Sequence, residues 1–186
     1  MGKESPSIQR AISAAKSATT LRIHFPEVTV SEAGADVTIA ASAPTPTLYI
    51  SAEALKSGPS TKYVAVAIDL DAPFPSFPFL GPILHGLHID LVAGAPDGDG
   101  FAPLEGAPEW LVPYIGPGPP RPSAPHRYVF MVFEQPPSLD AAKTKELLGL
   151  GPQVKLTSRM WWDELGFEKK LGLGEVLAGN YHLTHA

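Results

Sequence analysis

Three stretches of this chain are almost unbroken runs of apolar residues at the length of a β-strand. Tyr63 to Asp69 reads YVAVAID, and a run without polar alternation is the pattern of a strand covered on both faces. His85 to Val92 predicts a second strand and His126 to Glu134, HRYVFMVFE, a third. Side chains alternate along a strand, so His126, Tyr128, Phe130, Val132 and Glu134 share one face and Arg127 takes the other. By the same rule His85 falls with Leu87, Ile89 and Leu91 on an apolar face, opposite His88 and Asp90. Shorter strands are predicted at Val28–Val30 and Val37–Ala41, on either side of the turn-prone Glu32-Ala33-Gly34, with a last one inside Gly172–Leu183. Asp97-Gly98-Asp99-Gly100 marks a hairpin or loop tip in the piece from Ala95 to Gly106.

Helical spacing is confined to the two ends. Ile8, Ile12 and Ala15 predict a short amphipathic helix from Ser5 to Ala18. A second helix is predicted from Asp140 to Leu148, capped by Ser138 or Asp140 and stopped at Gly149, and a third from Trp162 to Leu171, stopped at Gly172. The expectation is a mainly β fold with a few peripheral helices. With no repeat and no linker, the 186 residues read as one domain, 1–186, with an N-terminal helical segment over 1–18.

Composition narrows this picture. Hydrophobic residues make up 44% and charged residues 18%, enough for a sizeable core. With 21 prolines and 17 glycines, a helical bundle is disfavoured. A net charge of −5 argues against bulk electrostatic binding of nucleic acid or anionic membrane. The absence of cysteine excludes disulfides, thiolate metal sites and cysteine nucleophiles. No signal-peptide stretch opens the chain, Pro6 stands where a myristoylation motif needs Ser or Thr, and the apolar stretch Phe74–Val92 is broken by prolines, histidines and an aspartate. A cytoplasmic protein without a transmembrane segment is expected. The oligomeric state and any protein partner are not specified by the sequence.

No nucleophile elbow, phosphate-binding glycine loop, zinc-protease helix or dinucleotide fingerprint is found. Asp97 and Asp99 resemble the start of a calcium loop, but Ala102 and Pro108 stand where glycine and glutamate are needed. The pairs His85/His88 and His182/His185 are each three apart, on opposite faces of a strand. No metal and no cofactor is expected.

Three polar stretches remain. Asp69-Leu70-Asp71-Ala72-Pro73 follows a buried strand, either as a site or as a loop whose Asp caps the local backbone. His85 is either a satisfied core histidine or a site residue. A proline-rich stretch, Gly116-Pro117-Gly118-Pro119-Pro120, precedes Pro125-His126-Arg127-Tyr128, and can be a rigid pocket wall or a stiff crossover with Arg127 in an ion pair.

Together these stretches resemble the phosphatidylethanolamine-binding protein (PEBP) family, whose signature reads D-P-D-A-P, then a strand with H-x-L, then G-P-x-P-P and G-x-H-R-Y-x-F. Here Asp69-Leu70-Asp71-Ala72-Pro73, His85-Gly86-Leu87, Gly118-Pro119-Pro120 and Pro125-His126-Arg127-Tyr128-Val129-Phe130 stand in the same order. The segment from Leu173-Gly174-Glu175-Val176 to Asn180-Tyr181 is similar to fungal members. The resemblance implies an antiparallel β-sandwich with a small anion-binding pocket at the sheet's edge. Carried over by motif, Asp69, Pro73, His85, Pro120, His126 and Tyr128 would line it. Asp71 joins the binding set by position and is expected, like Arg127, to support it. His85, five residues before Asp90, fits the family histidine better than His88 does.

Two histidines and a tyrosine offer donors to an anion, while Asp69 repels a bare anion unless a proton or a ligand amine intervenes. A protonated organic acid or a phosphoethanolamine head group fits that mixture. If the protein is an enzyme, Asp69, His85 and His126 are the acid–base set, working without a covalent nucleophile. Gly86, where a large residue is common, is expected to widen the pocket or its approach. Since the chain stops soon after Tyr181, the closing C-terminal helix of animal members is not expected. The uncharged stretch APFPSFPFLGPIL carries Phe74, Phe77 and Phe79, either as added core or as an apolar lip suited to an alkyl tail. Three readings follow: a binding protein for an anionic small molecule or phospholipid head group; a fungal secondary-metabolite enzyme or accessory protein of the kind that assists maleidride coupling; and a protease- or kinase-inhibiting interaction protein.

Overall fold

The computed structural model describes residues 4–55, 58 and 61–186. Its elements, in chain order, are α1 (Pro6–Ser17), β1 (Leu21–Phe25), β2 (Val28–Val30), β3 (Ala35–Asp36), α2 (Ile39–Ser42), β4 (Thr47–Ser51), β5 (Tyr63–Asp69), β6 (Ile83–Ala93), β7 (Phe101–Glu105), β8 (His126–Glu134), α3 (Ala141–Leu148), α4 (Glu164–Leu171) and β9 (Ala178–Thr184). The strands follow the order β2-β1-β4-β7-β6-β5-β8-β9-β3, antiparallel throughout except for β3 against β9. Although β1 and β9 stand near opposite ends of that order, Asn180 on β9 donates to the Leu21 and Val30 carbonyls at 2.9 and 3.3 Å. The sheet therefore curls over itself into two layers, the sandwich that the sequence implied.

Strands β5 and β8 are interior to it and serve two cores at once. Tyr63, Ala65, Ala67, Tyr128, Phe130 and Val132 pack inside the curl against Leu21, Ile23, Phe25, Leu48 and Ile50. The alternate residues Val64, Val66, Ile68, Val129, Met131 and Phe133 pack outward, where α1 and α4 cover them with Ile8, Ala11, Phe167 and Leu171. This explains the unbroken apolar run: both faces of β5 leave water, and burying each large side chain contributes roughly 1.5–3 kcal/mol. Helix α1 sits directly on β9 because Gly179 has no side chain; a Cβ there would lie 2.6 Å from that of Ala11.

Local capping sets the helix ends. Ser5 accepts from the Ile8 amide at 3.2 Å with Pro6 in the first turn. Asp140 and Asp163 cap α3 and α4, which end on the left-handed Gly149 and Gly172. The strand predicted at Val37–Ala41 is instead a short helix: Thr38 caps the Ala41 amide at 3.2 Å, and β3 ends at Asp36. Strands β1, β4 and β7 were not predicted, although Leu21, Ile23 and Phe25 alternate as a half-buried strand should. The Asp97 loop is the tip of the β6–β7 hairpin. Its carboxylate accepts from the Asp99 and Phe101 amides, both at 2.9 Å, and Arg22 bonds both acidic side chains.

Strand β6 is out of step with β5 at two places. Ala67 stands opposite Gly86 while Ile68 stands opposite Leu84, leaving His85 as an extra residue. A second extra residue falls near Asp90, whose φ is 57°. The period-two rule fails on this strand for that reason: the bulge turns His85 away from the side of Leu87 and Ile89.

Candidate functional site

The bulge brings His85 to the same side as Asp69, the last residue of β5, and His126, the first of β8. Around them lies a cavity of about 460 Å³ with walls that also include Pro73, Leu80, Ile83, Ile115, Pro120, Leu156 and Met160. Asp69, Pro73, His85, Pro120 and His126 thus meet at one cavity.

The Asp69 carboxylate is anchored twice, accepting from the Asp71 amide at 2.8 Å and from His126 Nδ1 at 2.9 Å. The other imidazole nitrogen, Nε2, lies 3.1 Å from the Pro73 carbonyl and 2.9 Å from the Ser123 hydroxyl. With acceptors at both nitrogens, His126 is held as the imidazolium. Burial opposes the charge, but the Asp69 carboxylate, the Pro73 carbonyl and Asp71 outweigh it and raise the pKa. Both nitrogens being engaged, His126 contributes its ring and its charge to the cavity, and no free donor.

His85 is the reverse case. Its Nδ1 donates to the Ile115 carbonyl at 2.7 Å, leaving Nε2 as the ring's free nitrogen. Burial lowers its pKa, assisted by the charges of Arg159 and His126 and opposed by the Ile115 carbonyl and Asp69. The ring is therefore neutral at pH 7, and Nε2 offers a lone pair.

Two residues assigned to the binding set by motif do not line the cavity. Asp71 is bound by Arg127 through the backbone amide at 2.8 Å, Nε at 2.9 Å and Nη2 at 2.7 Å, and Arg127 also reaches Glu4 at 2.7 Å. By alternation Arg127 takes the face of β8 opposite His126, and the chain, having left β5 at Asp69, turns Asp71 to meet it. Tyr128 lies behind the cavity, edge-on to His85 at 5.0 Å and stacked on His182 at 5.3 Å. Its hydroxyl is buried without a partner of good geometry, and burial together with the Asp69 charge raises its pKa. His182 is also fully buried, which pushes its pKa down to about 4.

Gly86 does not widen the pocket. A Cβ there would lie 2.6 Å from the Trp110 indole, which already fills that space. The aromatic stretch is not core: Phe77 and Phe79 are 66% and 52% exposed, with rings 5.2 Å apart, while Phe74 is half-buried. This loop reaches the cavity wall through Ala72, Pro73 and Leu80. Trp161, 63% exposed, ties to it through an indole bond to the Phe79 carbonyl at 2.8 Å. Sequence reasoning missed the wall residues Leu156 and Met160 and the buried Arg159 between them, because they come from an irregular segment without periodicity.

A sequence profile described as phosphatidylethanolamine-binding protein matches residues 15–182. Carboxypeptidase Y inhibitor of Saccharomyces cerevisiae is 46% identical over 37 residues, covering 20% of this chain and 17% of that protein. Phomoidride biosynthesis cluster protein N of Talaromyces stipitatus is 30% identical over 125 residues, covering 66% of this chain and 59% of that protein. These matches span less than two thirds of either relative's length. Among solved structures, the carboxypeptidase Y inhibitor complexed with its cognate proteinase superposes with a TM-score of 0.72 at 19% identity, over 100% of both chains. A phosphatidylethanolamine-binding protein from Plasmodium vivax gives 0.61 at 16% identity, over 89% of this chain and 84% of that one. At those identities the likeness is one of fold.

Proposed function

Because the chain belongs to the phosphatidylethanolamine-binding protein family, we propose that it binds an organic acid with an apolar tail in the cavity between Asp69, His85 and His126. One observation carries this reading: the free nitrogen of a neutral histidine opens on a cavity whose other walls are largely Leu, Ile, Met and Pro. The lone pair of His85 Nε2 accepts the proton of a carboxyl group, and the apolar walls take the chain. The Asp69–His126 pair, already balanced in charge, fixes the polar end without demanding a counter-ion.

Native mass spectrometry of the protein with alkyl dicarboxylic acids in one panel and phosphoethanolamine lipids in the other tests this directly. Acids are expected to be retained, with Asp69→Ala weakening them at least tenfold, about 1.4 kcal/mol. An Asp69→Ala protein that melts normally and binds acids as the wild type does sinks the assignment; retention of phosphoethanolamine lipid alone moves it to a head-group site.

The exposed phenylalanines give a second expectation. If Phe77 and Phe79 cover the tail, Phe77→Ser with Phe79→Ser weakens long-chain acids by a factor of about four per methylene they cover, from roughly 0.8 kcal/mol each, and leaves short acids unchanged. Equal losses at both chain lengths, read by calorimetric titration, would remove the lip from the site.

A second reading shares the same cavity. A neutral imidazole beside an imidazolium–carboxylate pair is an acid–base set, and a relative belongs to the phomoidride biosynthesis cluster. Under this reading His85 takes a proton from carbon next to a substrate carbonyl and the protein assists a coupling step. Acids recovered from the wild type with altered mass, and unaltered from His85→Ala, decide for turnover; unchanged acids from both decide for binding.

A further inference from the structure

Arg159 is 4% exposed, and its guanidinium donates to carbonyl oxygens alone: Leu84 at 3.3 Å and His85 at 3.2 Å through Nη1, and Pro113 at 2.9 Å through Nη2. Its own carbonyl accepts from the Leu84 amide at 2.8 Å. Arg159 therefore grips the β6 bulge on both sides of the backbone. The described residues give it no carboxylate partner, whereas Arg127, Arg22 and Arg10 each have one. A buried cation without a counter-charge is costly to keep, so its surroundings must make use of it.

We propose that Arg159 is the positioning residue of the cavity, holding the bulge that aims His85 inward and keeping that ring an unprotonated acceptor, so that the site takes a carboxylic acid together with its proton and refuses permanently ionised anions. This rests on the acid-binding reading above. The groups facing His85 are Asp69 on β5, His126 and Tyr128 on β8, His182 on β9 and Arg159 before α4. His182 is neutral and Tyr128 keeps its proton, so burial first, and then the charges of Arg159 and His126, stand against a positive charge on His85 and outweigh the Ile115 carbonyl and the Asp69 carboxylate. An alkyl carboxylate meets the His85 lone pair only after gaining a proton. A sulfonate of the same length cannot gain one.

The test is calorimetric titration with octanoate and with octanesulfonate against wild type, Arg159→Met and Arg159→Lys, alongside the NMR titration of His85. The wild type is expected to prefer octanoate by tenfold or more and to lose affinity about tenfold per pH unit above neutrality, since one proton enters with the ligand. Arg159→Met is expected to narrow that preference and raise the His85 midpoint, and Arg159→Lys, which keeps the charge, to restore both. Equal losses for the two ligands in Arg159→Met, or a His85 midpoint unmoved in a folded variant, overturn the proposal. Should Arg159→Met fail to fold, Arg159→Lys with a wild-type midpoint and preference supports it, and a lost preference overturns it. A wild type that binds neither ligand defeats the acid-binding reading, and the His85 midpoint then decides the role of Arg159 by itself.

Discussion

Replacing Arg127 by methionine is expected to cost about 3–5 kcal/mol of folding stability, because it strands the Asp71 carboxylate in the core. The Asp71 side chain is 4% exposed and takes three bonds from Arg127, two of them from the guanidinium. In Arg127→Met only the backbone amide remains, at 2.8 Å. The Glu4 contact, with both partners about a third exposed, adds well under 1 kcal/mol. Urea unfolding at neutral pH reads the loss, and a loss below about 1 kcal/mol would contradict a buried, charge-dependent pair. Adding Asp71→Leu is expected to recover part of it, since removing both charges is cheaper than leaving one; the freed Arg127 amide keeps the recovery incomplete. Ligand affinity in the folded Arg127→Met protein is expected to stay within about twofold, because neither side chain lines the cavity.

The second large effect is a dependence on pH that originates in a residue outside the cavity lining. Glu164 opens α4 at 3% exposure; one carboxyl oxygen accepts from the Trp162 indole at 2.7 Å and the other has no partner. Burial pushes its pKa up to about 8, with the charges of Glu168 and Asp163 adding to the rise. The folded state therefore holds a proton that the unfolded chain releases near 4.5. Its contribution is present in full below the unfolded value and is lost as pH rises toward 8, at about 1.4 kcal/mol per unit. Between pH 6 and pH 8 the wild type is expected to lose roughly 2 kcal/mol relative to Glu164→Gln, which cannot ionise. Taking the difference between the two proteins cancels other titrating groups, including the buried His182, whose contribution is lost on the acid side instead. Parallel stability curves for the two proteins would mean that Glu164 finds a compensating partner.

The Asp69 motif divides its labour in a way its sequence conceals. Asp69 and Asp71 look alike as a pair of carboxylates after a strand, yet one closes the cavity and the other secures the chain beneath it. Two apart, they would share a face if the strand ran on; β5 ends at Asp69 instead, and the turn that follows separates them. What each carboxylate meets on its own face depends on β8, more than fifty residues away in the chain.

The sequence by itself determined the elements whose cause is local. The unbroken run of β5, the face shared by His126, Tyr128 and Phe130, and the capped helices α3 and α4 follow from periodicity and from the residues at their ends. The resemblance of its motifs to the family also marked Asp69, Pro73, His85, Pro120 and His126 as candidates for one site. Only the tertiary structure decided the rest. The bulge at His85 belongs to the pairing of β6 with β5, beside Arg159 and Trp110, so strict alternation could not give that ring its direction. The exposure of Phe77 and Phe79, the filling of the space beside Gly86 and the short helix at Ile39 depend on which distant surface covers each segment. Periodicity reports how a chain prefers to turn; which side chains finally leave water is settled by the neighbours that the fold supplies.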